Sequence, residues 1–383
     1  MAEPAIAAVE AIPVVVPGLR DFRISEGRTR THVSVIVRLR ANQDGLEGAG
    51  EIVSAPPGKP EEFLEEIVGA VNRYVAPALT GMRIGDHAAA RARLDGMLKG
   101  RVWTKAGIHN ALYDLHAKSL GVPVSALIGG RVHDRVPVMG TVIGMMSPEE
   151  MASAAAAEVA AGYTTIKLKI GETPQKDALR VAAVREVVGG EVRLRVDAND
   201  HYSPADAIRM IRAIERYEPE HVEQPVARGD LLGLAEVQAK IGVPIMTDDA
   251  VATPEDAITV IRLRAANRVK VKVTKHGMDG ALLLTRMLGA AGIPCVLGHV
   301  FEMGLAAAAE AHVAAVAPNL IFPSEIGSLR PMGVAEDIIN EKLQPRPGCI
   351  ELPVGPGLGV TLNWDRINAW RWRPAGSGGS TGC

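Results

Sequence analysis

The run Val192-Arg193-Leu194-Arg195-Val196-Asp197-Ala198-Asn199, followed by His221-Val222-Glu223-Gln224-Pro225 and Pro244-Ile245-Met246-Thr247-Asp248-Asp249, decides the fold. Each run is short, apolar and largely β-branched, and each ends in a charged or amide residue, with a carboxylate at Asp197, Glu223 and Asp248. That is the pattern of a strand ending in chemistry. The carboxylates stand 26 and 25 residues apart (197, 223, 248). Such an interval holds one strand, one helix and two loops. A similar run on the N-terminal side, Thr164-Thr165-Ile166-Lys167-Leu168-Lys169-Ile170, carries Lys169 28 residues before Asp197. On the C-terminal side, Arg268-Val269-Lys270-Val271-Lys272-Val273-Thr274 carries Lys272 24 residues after Asp248. In a barrel of parallel strands the C-terminal strand ends meet in one mouth, where catalytic residues gather. Three carboxylates and two lysines far apart in sequence would converge there.

The rest of the chain fits around that repeat. A first barrel strand is expected near 136–143, its helix capped by Ser147 with Pro148 at the first helical position. Helices are expected around 176–188, 204–216, 230–241, 253–264, 278–291 and 304–316, with further strands at 293–299 and 319–325. Residues 6–53 read as antiparallel sheet, with a polar stretch from Pro17 to Arg30 and turn chemistry at Asn42-Gln43-Asp44-Gly45. Helical periodicity runs from Pro60 to Leu120. A β-then-α block ahead of a βα repeat implies an α+β capping domain, 1–130, and a barrel, 131–344. A turn-rich segment, about 345–375, returns to the cap, and 376–383 resembles a flexible tail.

The chain of 383 residues is long enough for a barrel of about 250 residues plus a smaller partner. A net charge of −2 argues against a nucleic-acid or anionic-membrane protein. Three cysteines without paired spacing argue against a disulfide framework and for a reducing, cytoplasmic setting. No uncharged apolar stretch of about 18 residues suggests a membrane span.

Asp197, Glu223 and Asp248 offer hard oxygen ligands, suited to Mg²⁺ or, as the alternative, Mn²⁺. A divalent ion held by them could act as a Lewis acid on a substrate carboxylate. Lys167 and Lys169 share parity on one strand and point to one face, and Lys270 and Lys272 repeat the arrangement. Buried lysines near a metal can act as bases. Lys169 and Lys272 are the expected acid/base pair, with Lys167 and Lys270 as supporting partners.

These residues together resemble the muconate lactonizing enzyme subgroup of the enolase superfamily. The resemblance rests on Lys167-x-Lys169, Asp197-x-Asn199, Glu223-Gln224-Pro225, Asp248 and Lys272-x-x-Lys275-x-Gly277. Upstream it includes Gly45-x-x-Gly48-x-Gly50-Glu51, Ala111-Leu112-Tyr113-Asp114 and Leu127-Ile128-Gly129-Gly130. It implies an α/β fold, a (β/α)7β modified TIM barrel with an N-terminal α+β capping domain. It also implies Mg²⁺ on Asp197, Glu223 and Asp248, Lys169 and Lys272 as the acid/base pair, and a homo-oligomer. Lys167 would help hold the substrate carboxylate, and Glu302 would lie near the enolate. Asn199, Asp249 and Lys270 would support the ligands and lysines.

Two departures stand out. The family's Asp-Glu pair is Asp248-Asp249 here, and its double glycine is Gly277-Met278. Strand eight ends Phe322-Pro323-Ser324-Glu325, without the Asp-x-Asp of dipeptide epimerases. The histidine-base branches do not match, since a lysine stands at strand six, with His276 beyond it and His299 in another strand. Cap loops 16–30 and 54–60 are expected to set specificity, with Arg20, Arg23 and Arg28 as candidates for a second substrate carboxylate.

The expected function is proton abstraction α to the carboxylate of a small acid. The outcome would be muconate-type cycloisomerisation or racemisation/epimerisation of an amino-acid derivative. The alternatives are syn-dehydration of a hydroxy acid or hydroxyproline-like substrate, and metal binding without turnover.

Overall fold

The computed structural model describes residues 4–55, 62–326, 332, 334, 336–343 and 348–373. The tail at 376–383 and positions 56–60 of the second cap loop lie outside the described residues.

The N-terminal sheet is a three-stranded antiparallel meander, β1 (Ile6–Ile24), β2 (Gly27–Ala41) and β3 (Glu47–Ser54). The polar stretch 17–30, expected as a loop, is a continuation of the β1–β2 ribbon. It pairs to its tip at Ile24 and Gly27, with a register shift between Pro17 and Phe22. The only apolar alternation there is Phe22 and Ile24, because the ribbon leaves its own sheet and projects over the barrel. Gly27, at φ 137°, makes the turn.

Helices Leu64–Leu79 (with one π turn at Val71–Val75), His87–Met97 and Val102–Ser119 cover this sheet. Glycines in β3 let the last of these approach closely. A Cβ on Gly50 would stand 2.1 Å from the Gly107 carbonyl oxygen, and one on Gly48 would stand 2.5 Å from the Leu115 nitrogen.

The barrel follows. Seven parallel strands lie in the order β11-β10-β9-β8-β7-β6-β5. They are β5 (Val142–Ile143), β6 (Thr165–Lys169), β7 (Arg193–Asp197), β8 (His221–Glu223), β9 (Ile245–Thr247), β10 (Arg268–Val271) and β11 (Cys295–Leu297). The eighth expected strand, 319–325, makes bridges rather than a regular ladder, yet it closes the ring. Ile321 N–H donates to Cys295 O at 2.7 Å and Glu325 N–H to Leu297 O at 2.8 Å, while Ser324 N–H reaches Pro137 O at 2.8 Å. The first expected strand, 136–143, divides into β4 (Arg135–Pro137), which pairs with β12 (Cys349–Glu351), and β5 beyond it.

Five barrel helices start with a side-chain cap: Ser147, Thr173, Ser203, Asp230 and Thr253. All but the one at Asp230 are followed by proline. Their fixed starts bring each successive strand back into the ring. Helix 304–316 lies where expected.

The C-terminal segment meets β1. Val15 N–H donates to Trp370 O at 2.9 Å, Trp372 N–H donates to Pro13 O at 3.0 Å, and Arg38 stacks over Trp364. Among the described residues no helix is long and apolar enough to cross a membrane.

Candidate active site

The parallel register decides which side chains meet. Lys169 pairs across from Asp197, and Asp197 from Glu223, on three neighbouring strands. Asp248 follows β9 directly and Lys272 follows β10. Lys169 Nζ donates to Asp197 Oδ2 at 2.7 Å and to Asn199 Oδ1 at 2.8 Å. Lys272 Nζ donates to Asp248 Oδ2 at 2.7 Å and approaches Asp249 Oδ1 at 3.4 Å. Glu223 lies between them and accepts from Lys270 at 2.6 and 2.7 Å and from Lys167 at 2.7 Å. The sequence-predicted carboxylates and lysines thus form one continuous cluster.

The shorter Asp249 still reaches Lys272. It also accepts from Lys275 at 3.2 Å and Arg228 at 3.4 Å. At the other departure Met278 is buried, its N–H donating to Asn110 Oδ1 of the cap helix at 3.1 Å.

Burial and charge set the protonation tendencies. Burial opposes ionisation of Asp197, but Lys167, Lys169 and Lys270 outweigh it and hold the carboxyl well below its usual range. Glu223 is pushed up to about 7 by burial and by the charge of Asp197. Burial, together with Lys167, lowers Lys169 below the usual ammonium value. For Lys272 burial is overcome by Asp248 and Asp249, and the ammonium form is favoured. The two candidate lysines therefore differ: Lys169 gives up its proton more readily than an ordinary lysine, and Lys272 less readily.

A cavity of about 380 Å³ opens above this cluster. Its floor includes Lys167, Lys169, Asp197, Asn199, Glu223, Asp248, Asp249, Lys270 and Lys272. Its roof comes from the β1–β2 ribbon through Phe22, Ile24, Glu26 and His32. Phe22 meets Phe301, from the loop after β11, edge to face at 4.8 Å. Backbone at the mouth is held in the left-handed region at Asn199, Asp200, Gln224 and Phe301, all non-glycine. Strain of that kind gathers at functional sites.

Some expectations need correcting. Arg20 and Arg23 do not line the cavity: Phe22 and Ile24 face it, so strand alternation turns Arg23 outward. Arg28 does line it, and is paired with Asp21 at 3.1 Å. Glu302 is wholly buried behind the wall. It accepts from Val300 N–H at 2.8 Å and shares a hydrogen bond with Glu310. Burial raises its pKa, and it does not line the cavity. Lys167 spends its contacts on Asp197 (2.9 Å), Glu223 (2.7 Å) and Glu325 (3.1 Å), which uses the three donors of an ammonium.

Other groups were given no role from the sequence. Glu325 also binds Lys270 at 2.7 Å and Arg195 at 3.1 Å, forming the buried base of the site. His299 lines the wall. Its Nδ1 accepts from Phe301 N–H at 3.1 Å, and burial with the nearby Lys167, Lys270 and Lys169 keeps it neutral. Arg228 joins Asp249 to Asp200 and to Glu26 at the ribbon tip, the last at 2.8 Å. Charged strand ends of this kind stand alone in the sequence, and their partners are distant.

The donor set fits a divalent cation. Asp197, Glu223 and Asp248 supply oxygen only, and Asp248 Oδ1 is buried without a hydrogen-bond partner among the described residues.

Comparisons with known proteins bear on this arrangement. Residues 8–129 match the family model for the mandelate racemase/muconate lactonizing enzyme N-terminal domain. Residues 150–366 match that for the enolase C-terminal domain-like family. The chain is 32% identical over 371 residues to muconate cycloisomerase 1-2 of Acinetobacter lwoffii, covering 96% of this chain and 95% of that protein. It is 33% identical over 361 residues to the L-Ala-D/L-Glu epimerase of Bacillus subtilis, covering 93% and 96%. The crystal structure of the N-succinyl Arg/Lys racemase of Bacillus cereus superposes with a TM-score of 0.89 at 30% identity, covering 96% of this chain and 98% of that one.

Proposed function

We propose, proceeding from the fact that this chain belongs to the mandelate racemase/muconate lactonizing enzyme branch of the enolase superfamily, that its barrel mouth moves a proton at the carbon α to a substrate carboxylate. The chain is an isomerase of that superfamily, which works with a divalent metal ion. The observation that carries the reading is the placement of Lys169 and Lys272 on the outer two of three clustered carboxylates.

Asp197, Glu223 and Asp248 would hold the ion, and we take it to be Mg²⁺ because the donors are hard oxygens throughout. When bound, it supplies positive charge for substrate carboxylate oxygens as they gain electron density. The protein's own residues do the rest. Lys169, with its lowered proton affinity, is suited as a free amine to take the α-proton onto Nζ. Lys272, on a strand four places further round the ring, keeps its ammonium proton and is suited to deliver it to the opposite face. Reversal of the two roles returns the proton the other way. Asn199 orients Lys169, and Asp249 orients Lys272. The ribbon and Phe301 roof the cavity and exclude water.

The substrate in this reading is a small carboxylate, a muconate-type diacid or an amino-acid derivative. The protein is read as a cytoplasmic homo-oligomer that uses neither nucleic acid nor membrane. The organisation that goes with it is a cap at 1–130, completed by about 345–375, over a barrel at 131–344. The return of Trp370 and Trp372 to β1 supports it.

The test is proton exchange in D₂O with Mg²⁺, followed by NMR, using N-succinyl-L-arginine, L-Ala-L-Glu and muconolactone. Deuterium should enter the α position, and Lys169→Ala and Lys272→Ala should each abolish epimerisation or cyclisation. Undiminished turnover in either variant would refute the assignment.

A further inference from the structure

Among the described residues, His276 is the one buried histidine that hydrogen-bonds the backbone of a proposed proton-transfer lysine, and the proposed chemistry gives it no task. The reason lies in backbone accounting. β10 ends at Val271, whose carbonyl accepts from Gly298 N–H at 2.9 Å, and the next helix starts at Val273. Lys272 stands between ladder and helix. Its N–H belongs to neither, and a buried N–H without a partner is costly. His276 Nδ1 accepts that N–H at 3.2 Å. One turn of helix sets the spacing, since His276 N–H in turn donates to Lys272 O at 2.9 Å.

The bond fixes the ring. With Nδ1 as acceptor, the proton sits on Nε2, and Nε2–H donates to Val251 O at 3.1 Å. Val251 belongs to the turn that leaves β9, and its own N–H donates to Asp248 O at 3.1 Å. Lys275 Nζ reaches the same Asp248 carbonyl at 3.3 Å. The imidazole therefore spans two loops, one carrying a carboxylate of the site and the other carrying Lys272. It is 6% exposed, and burial with the charge of Lys275 keeps it neutral. Only a neutral ring both accepts at Nδ1 and donates at Nε2.

We propose that His276 is a positioning residue for Lys272, fixing where its backbone leaves the barrel relative to the Asp248 turn and so aiming one of the two proton-transfer groups. This rests on the reading of Lys272 as the proton donor and acceptor at one face of the α-carbon. Lys169, on β6, has no link to the imidazole. Loss of the bridge acts on one face only.

Three variants separate the two halves of the bridge. His276→Asn keeps an acceptor at the Nδ1 position for Lys272 N–H. His276→Gln keeps a donor at the Nε2 position for Val251 O. His276→Leu keeps neither. Each is compared with wild type by α-proton exchange in D₂O and Mg²⁺, from N-succinyl-L-arginine and N-succinyl-D-arginine separately. The α-protons of these enantiomers face opposite lysines. His276→Leu should slow exchange of the enantiomer facing Lys272 by about 10- to 100-fold, the scale of an ångström-sized misplacement. The other enantiomer should change by less than about threefold, and His276→Asn should recover most of the loss. Equal slowing of both enantiomers, or no slowing, overturns the proposal. Competitive reductive methylation read by mass spectrometry supplies a readout that needs no substrate. In His276→Leu the Lys272:Lys169 labelling ratio should change, and should return in His276→Asn. An unchanged ratio overturns the proposal. If wild type exchanges neither enantiomer, the proposed function has failed with these probes and the labelling ratio alone decides for or against the bridge.

Discussion

Replacing Glu325 by glutamine tests the charge balance beneath the site. Three cations, Lys167, Arg195 and Lys270, face three carboxylates, Asp197, Glu223 and Glu325, and none of the six is more than 3% exposed. Glu325 holds Lys270 at 2.7 Å and both Arg195 and Lys167 at 3.1 Å. Glutamine keeps the shape but leaves one buried positive charge uncompensated. Breaking a buried ion pair in this way costs about 3–5 kcal/mol, or roughly 200- to 5000-fold in the unfolding equilibrium. At about 2–4 °C per kcal/mol the melting point should fall by roughly 6–20 °C, the lower part being expected for a chain of this length. Urea denaturation, paired with Arg195→Met and the double variant, would measure it. The double variant should lose well under the sum of the two single losses, because it removes the orphaned charge. Burial opposes ionisation of Glu325, but Lys167, Lys270 and Arg195 overcome it and hold its pKa well below 4.5. Its own contribution is complete above the unfolded value and fades only as pH falls through the depressed one, while Glu223, which Glu325 helps to raise to about 7, makes the deficit vary between pH 6 and 8. A loss under about 1 kcal/mol, or strict additivity, would refute the reasoning.

Asp337 presents the opposite sign. Burial, with Glu51 nearby, pushes it up from 3.8 to about 6 although Gly304 N–H donates to it. Stability from its protonated form is present below pH 3.8 and lost as pH rises through 6. Asp337→Asn should therefore raise the stability to urea at pH 8, by up to roughly 3 kcal/mol for such a shift, and leave it unchanged near pH 4. Arg228→Met should free the ribbon tip by removing the 2.8 Å bond to Glu26. Amide exchange at residues 24–27 should quicken by up to about fivefold, the worth of a partly exposed pair, and unaltered protection would show that the bond holds nothing. Mg²⁺ binding followed by calorimetry should weaken below pH 7, by up to about tenfold per pH unit, as Glu223 takes up its proton. An affinity flat from pH 6 to 8 would contradict the raised Glu223.

The repeat of strand and helix was legible because it is local. Asp197, Glu223 and Asp248 recur at one barrel interval, and the register then sets Asp197 beside Glu223, with Asp248 two residues past Glu223's partner Met246. The lysines could be placed by strand parity alone. Arg195 and Glu325 were not legible as partners, being 130 residues apart and brought together only when the eighth segment closes the ring. The ribbon at 17–30 read as loop because its outer face is solvated and its inner face meets another domain, so only two apolar positions alternate. Glu302 stood at the position the resemblance implies. What places it behind the wall is the turn at Phe301, with φ 64°, which no residue type announces. His276 looked like a misplaced base, and its actual contacts are with two main chains.

The pairing of Trp370 and Trp372 with β1 also has a bearing on how the protein is made. β1 leaves the ribosome long before its partners at 370–372, and that edge is paired only when residue 372 has been added. During synthesis the outer edge of β1, from Pro13 to Val15, stays available to other chains, and unpaired edges of this kind seed misassembly. A chain cut near residue 345 would keep every barrel strand and every group at the mouth, yet it would carry that edge permanently. Its yield on expression, more than the activity of the molecules that fold, would show what the residues after 345 are for.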